Sequence, residues 1–519
     1  MKFISYLGQR ALLIWSFVLL FILGLSSILI RTNMPMDGSE QSIMRQNNLL
    51  FYTLLLVFIV IFLLLIALSS HVKASYLFGI ATIIYILAGL YLIYHQNDML
   101  RHDALAVLEG ARSLNNGNYS LITDVSGYIH KYPHQLGLVS FERLILYLFG
   151  IKNVKIFFVI NLLMAIADNF LLWQISDAVF KNPLISRLVI ILSFLFLPQL
   201  FSILFVYGIT FGLPFTLVGL YFLQKYLQKK DWQSMILSVF FLLLSDIIRN
   251  NYIILIVSIL IVLIFDFLNY RSKKNLVMIV ALVLSVMLAN KAITGYYKQV
   301  SSISNLEGEP KIAWIAMGLD DNSTIYHRVP GWYDAYVENV YNQYKGDSAK
   351  IEKDSQKLIR NRLKIMRENP SYGFNFFKNK FVSTWADSLF ESIWSGPVTK
   401  MPVENQKISG KLMASIYEGG LAYRVIYYFS ALLLILIYVA VIPFLVNQWK
   451  VAKKGEGNLF LLIPLIYLSG GVVFHLIWET KSQYVYPYVY LLLPLSAFGL
   501  ERLYSRSREL LNFRANKCG

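Results

Sequence analysis

Apolar runs near the roughly 20 residues needed to cross a bilayer recur along the chain from Ala11 to Leu500, separated by short polar corners. The pattern predicts spans at 11–30, 49–69, 75–95, 153–178, 187–204, 208–226, 233–248, 251–269, 275–292, 421–446, 459–478 and 484–500. Within these runs the apolar residues are continuous, whereas a transmembrane β-barrel would alternate apolar and polar positions. The expected fold is therefore an all-α polytopic membrane protein of about 12 transmembrane helices. Two long polar stretches interrupt it, 96–152 and 293–420. Three parts follow: 1–292 with helices 1–9 and the loop 96–152, a mostly helical segment 293–420, and 421–519 with helices 10–12 and a basic tail.

Within 293–420, Ile351, Leu358, Leu363 and Met366 recur among charges at helical spacing, and Pro370 should end that helix. The aromatics that follow (Tyr372, Phe374, Phe376, Phe377, Trp385) predict a segment on the membrane surface. In the first loop, Asp103, Val107, Gly110, Ala111 and Leu114 fall on one helix face, where the small pair would admit a close neighbour. "NNGNYS" at 115–120 reads as a turn, Pro133 as an extended approach, and Gly137 as the opening of another helix.

Composition supports the membrane reading. The 519 residues are 57% hydrophobic and 15% charged, against about a quarter charged in soluble domains. The formal charge of +17 would suggest nucleic acid in a soluble protein; here it follows the positive-inside rule. With the N-terminus inside, every inside corner carries a base, among them Lys73, Lys181, Lys230, Arg271, Lys450 and Arg502. Both long polar stretches then face outward. The basic, apolar N-terminus resembles a signal peptide, but its long run and lack of a small-residue cleavage site favour an uncleaved span. The single cysteine, Cys518, permits no internal disulfide framework.

Candidate chemistry lies in the outward segments, and each feature has a plainer reading. Asp103 is either a helix N-cap or a general base. Arg249, in "SDIIRNNY" (245–252), either pairs with Asp246 or meets an anion at membrane depth. Glu479, Lys481 and Tyr484, in "HLIWETKSQYVYPYVY" (475–490), form either a site or an interfacial belt with snorkelling charges. Tyr132, His134 and Gln135 could hydrogen-bond a sugar or phosphate, while Pro133 and the lack of a nearby acid argue against zinc at His130 and His134. Asp98, Glu109, Asp124 and Glu142 read as solvated, with Asp124, Asp37 and Glu40 as reserve bases. The sequence has no P-loop, dinucleotide fingerprint or nucleophile elbow, and no cofactor is implied.

These residues resemble the GT-C type integral-membrane glycosyltransferases, especially bacterial glycosyltransferase family 39 and protein O-mannosyltransferase-like proteins of a Gram-positive subgroup. The features shared are Asp103 with Ala111 at the family's spacing, Gly117, "YPHQLG" at 132–137, "LILYLFG" at 144–150, and Glu479, Tyr484 and Pro487 near the C-terminus. The chain departs with Ala104 and Val107 where the family has a second acid and a tyrosine, and with Gln483 where arginine is common. Its acidic loop follows the third span, so the first two spans read as an added hairpin. The resemblance implies sugar transfer from a polyprenyl-phosphate donor to a cell-envelope acceptor on the outer face of a bacterial plasma membrane, both termini cytoplasmic. Asp103 would be the base; Arg249 and Lys481 would serve the phosphate.

Two other functions fit the same span pattern. A polymerase or ligase of lipid-linked glycans would use loop arginines such as Arg360, Arg362 and Arg367, which read here as a solvated face. A flippase would use ionisable residues at the midplane, such as Asp168, with Asp177 at the inner boundary. The charge pattern itself is testable: alkaline phosphatase fused within 293–420 should be active in intact cells, and a fusion at Lys230 inactive. The reverse result would invert the topology.

Overall fold

The computed structural model describes residues 2–36, 40–321, 329–397, 411–453 and 457–518, with side chains to Glu509. It is 79% helical. Eight described helices are long and apolar enough to cross a membrane: Lys2–Leu29, Leu49–Ser69, Ala74–His95, Lys155–Phe180, Asn250–Tyr270, Lys273–Ser301, Leu421–Ala452 and Leu459–Ile477. Their apolar residues are widely exposed; Leu56, Ile61 and Leu64 on one helix and Val280, Met287 and Leu288 on another face away from the protein. Such surfaces are stable against lipid rather than water.

The other four expected spans are helical but differently built. The run 187–204 lies in Pro183–Leu195 and, after a break at Phe196, Leu197–Ser202; Pro198 cannot continue the preceding ladder and sits in the first turn of the new helix. Gly208–Lys229 and Trp232–Ile248 form a tight antiparallel pair, with Ser238 Oγ donating to Gly219 O at 3.0 Å. The run 484–500 is divided between Tyr486–Tyr490 and Leu493–Cys518, with Pro487 and Pro494 opening the two pieces.

The connections gather at two ends of the bundle. At one end, three helices finish on a basic residue in the left-handed region: Lys181 (φ 49°), Lys230 (φ 53°) and Arg271 (φ 55°). Lys230 pairs with Asp266, and Arg187 donates to Ser70 O at 3.0 Å. At the other end lie the loop 96–152, the turn at Arg249, the segment 293–397 and the turn 478–485. A departure from the all-helical expectation also sits there: β1 (Ile30–Asn33) and β2 (Ile43–Gln46) pair antiparallel, Ile30 opposite Gln46.

Helix Ser348–Glu368 is capped by Asp347, which accepts from Lys350 N, and Pro370 opens the next helix. That helix, Pro370–Trp385, is not a simple surface segment. Phe374 is exposed, but Phe376, Lys380 and Trp385 are buried in protein. Helix His102–Asn115 buries Val107, Gly110, Ala111 and Leu114, and Gly110 is packed so that a Cβ would lie 2.8 Å from Ile129 Cδ1. Pro133 opens a 3₁₀ turn, Pro133–Gln135, rather than holding an extended approach. Gly137 follows in helix Leu136–Phe149, where a Cβ would fall 1.8 Å from Ile247 O. Gly137→Ala should therefore destabilise by about 1–3 kcal/mol, read as a lower melting temperature in detergent. Gly79→Ala, with nothing within 4 Å of the new carbon, should show no loss.

Candidate active site

Asp103 stands in the first turn of its helix, but not as the cap. Arg101 holds that position, with no side-chain cap hydrogen bond. His102 between them is left-handed (φ 49°), a conformation costly for a non-glycine residue and concentrated at functional sites. The Asp103 carboxylate is half-buried. Among the described residues no hydrogen bond or ion pair engages it. It lies instead in the field of Tyr128, Tyr132, Arg249 and Lys481.

Arg249 enters from the corner after helix Trp232–Ile248 and is buried. It does not pair with Asp246, whose hydrogen bond is to Asn290. Its guanidinium hydrogen-bonds Tyr207 and lies 4.6 Å from that ring's centroid and 5.4 Å from that of Tyr484. Gln135 Nε2 donates to Tyr207 Oη at 2.7 Å, fixing the phenol that holds the arginine. Gly208 allows this approach; a Cβ there would stand 2.6 Å from Ile248 O and 3.3 Å from Arg249 side-chain carbons. Tyr132 packs against Tyr128 and Trp314. His134 keeps an open edge to solvent, yet the protein around it, then Arg249 and Lys311, push its pKa down to about 4. It is neutral at physiological pH, able both to donate and to accept.

The turn 478–485 brings the third set. Glu479 and Lys481 are 3% and 9% exposed, so they do not snorkel from a belt. Lys481 pairs with Glu40, and its Nζ lies 5.2 Å from the Tyr333 ring centroid. Burial raises Glu479 to about 7 despite Lys481, and Oε1 has no hydrogen-bond partner among the described residues. Beneath, Glu391 Oε1 accepts from Ser482 N and Oγ, both at 2.8 Å. Burial, with Glu40, raises Glu391 to about 8. Phe390 and Glu391 are consecutively left-handed (φ 48° and 55°), held by Asp387 Oδ2, which accepts from Glu391 N at 3.1 Å and Ser482 Oγ at 2.6 Å.

The structure thus brings together Asp103, Tyr132, Arg249, Glu479, Lys481 and Tyr484, with His134 and Gln135 on the Arg249 side. Other residues fall elsewhere. Asp98 and Asp124 are exposed, Glu109 pairs with Arg112 at 2.7 Å, and His130 Nδ1 meets Ile122 O. Glu142 is not solvated but fully buried, with neither oxygen hydrogen-bonded among the described residues. Arg362 is not a solvated arginine either: it bonds Leu319 O and Tyr372 and faces Asp320 and Asp321. Arg360 and Arg367 are exposed, and Asp37 lies outside the described residues. Asp168 is buried inside the bundle beside Gln199, and Asp177 accepts from Ser186 at a helix end. Among the described residues no group of three or more His, Cys, Asp or Glu could hold a metal ion.

Sequence reasoning missed Glu391, Lys380, Tyr207, Tyr333 and the buried Glu309, whose N donates to Lys131 O at 3.0 Å. Asp387 and Glu391, four apart in an apolar aromatic stretch, were a usable signal; buried Lys380 gave none. The chain matches no family model, no curated protein and no solved structure.

Two of the raised carboxyls set a pH dependence. Glu479 (about 7 folded, 4.5 ordinarily) and Glu309 (about 8) bind protons more tightly folded than unfolded. Their stabilising contribution is full below the ordinary value and is lost as pH rises through the folded one. Lys380, lowered to about 7 by burial, has the opposite slope, and only above that pH. His134, lowered to about 4, opposes the two carboxyls over the same window, so the test is a difference: relative to Glu479→Gln, the wild-type melting temperature should fall as pH rises between 4.5 and about 7. An unchanged slope would show that Glu479 titrates normally.

Proposed function

We propose that the chain is a membrane glycosyltransferase that moves a sugar from a polyprenyl-phosphate donor to a cell-envelope acceptor on the outer face of a bacterial plasma membrane, with both termini cytoplasmic and about 12 spans. The observation that carries this reading is the pairing of an unengaged, partly accessible carboxylate, Asp103, with two buried cations, Arg249 and Lys481, at one end of an apolar bundle. The resemblance of 103–150 and 479–487 to family 39 transferases agrees with it.

In this reading the acceptor hydroxyl attacks the anomeric carbon while the bond from that carbon to the phosphate oxygen breaks. The bonding pair leaves with polyprenyl phosphate, and the hydroxyl proton passes to Asp103. Negative charge grows on the departing phosphate, where Arg249 is pre-oriented by Tyr207 and Tyr484 and needs no rearrangement to meet it. His134 and Tyr132 offer neutral hydrogen-bonding groups to the sugar. No residue need form a covalent intermediate.

Wild type and Asp103→Asn should be purified and offered a panel of radiolabelled polyprenyl-phosphate sugars with an acceptor lipid extract. The variant should bind donor within about threefold of wild type and transfer at least ~100-fold more slowly. Equal transfer by both would remove Asp103 from the chemistry. Absence of transfer by wild type across the panel would count against the reading itself.

A further inference from the structure

Glu40 reaches the site from outside the helical bundle. It belongs to the connection between β1 and β2, a ladder of four residues on each side, and two-stranded ladders of this size have little stability of their own. The hairpin is steadied by Tyr423 Oη, which donates to Met34 O at 3.0 Å, and by Met34, Met36 and Met44 against Trp332 and Trp394. Methionine contacts of this kind repack readily. Yet the Glu40 carboxylate is nearly enclosed: it and Lys481 are 10% and 11% accessible in their ion pair. Arg101 and His102 lie in the field of the same carboxylate. One ion pair and the field of two further basic side chains, from two other segments, thus centre on one anion carried by the connection between two short strands.

We propose that this is a phosphate seat, with Lys481 at its centre, and that Glu40 is its intramolecular place-holder in the substrate-free protein. The proposal rests on the donor being a polyprenyl-phosphate sugar. A sugar joined to a polyprenol through phosphate is a monoanionic diester, so its entry would exchange one negative charge for another. The net charge around Lys481, Glu479 and Asp103 then stays constant, and no buried ammonium is left bare at any stage. When the sugar departs, the phosphate gains charge and holds Lys481 more strongly than Glu40 can, which favours the transition state over the resting ion pair.

The test is binding rather than turnover. The full chain in nanodiscs is titrated with a long-chain polyprenyl monophosphate, and in a second arm with inorganic phosphate. Glu40→Gln and Glu40→Ala should each bind the lipid about tenfold more tightly than wild type, with a larger ligand-induced rise in melting temperature. Glu40→Gln combined with Lys481→Met should bind no better than Lys481→Met alone, because the gain acts through Lys481. A gain with both ligands assigns the seat to phosphate alone; a gain with the lipid only means the chain must dock first. Equal or weaker binding by the Glu40 variants, at melting temperatures matched to wild type, would overturn the place-holder and leave the glycosyltransferase reading standing. No binding of polyprenyl phosphate by any folded form would overturn both.

Discussion

Lys380 donates hydrogen bonds to the carbonyls of Gly318, Leu476 and Trp478 from a position almost without solvent contact. Leu476 belongs to the last turn of helix Ile463–Ile477, where the backbone carbonyls have no partners of their own. The Lys380 amino group there satisfies those carbonyls at the negative end of the helix dipole. It also joins three parts of the chain at one point: the helix Pro370–Trp385, the end of Lys311–Leu319, and the turn carrying Glu479 and Lys481. Gly318 leaves no room for a side chain at this junction, since a Cβ would lie 2.4 Å from Trp478 C. The placement of Lys481 opposite Glu40 depends on this junction.

Around it, buried acids outnumber buried bases, and the molecule handles the excess in two ways. Glu391 and Glu479 favour their neutral forms because burial penalises charge. Glu40 keeps a direct cation. Asp103 has neither arrangement: it is partly exposed, and no hydrogen bond or ion pair engages it among the described residues.

The helical positions were legible because hydrophobic continuity records lipid contact directly. The run 49–69 coincides with its helix, and Asn48 caps it by accepting from Phe51 N at 3.1 Å. Where proline falls inside an apolar run, as at Pro198 and Pro494, one hydrophobic stretch holds two helices, and hydropathy cannot see the break. The site was legible where polar residues interrupt apolar runs, as at Arg249 and Glu479. It was illegible where a polar residue sits in an ordinary amphipathic setting and is drawn inward by tertiary contacts. Lys380 among surface-like lysines and Glu142 in a mixed helix are of this kind. The hairpin strands escaped notice because four-residue strands leave too few positions to show alternation.

The left-handed corners at Lys181, Lys230 and Arg271 carry a consequence of their own. Glycine would adopt the same backbone more easily, by about 1–2 kcal/mol at each corner. The chain instead keeps a cation at the carbonyl end of three successive helical hairpins. Local conformational preference is thus set aside, three times over, in favour of a cation at the negative end of a helix dipole. Glycine at all three corners would be expected to yield a protein locally more relaxed, with three helix ends left without a facing cation.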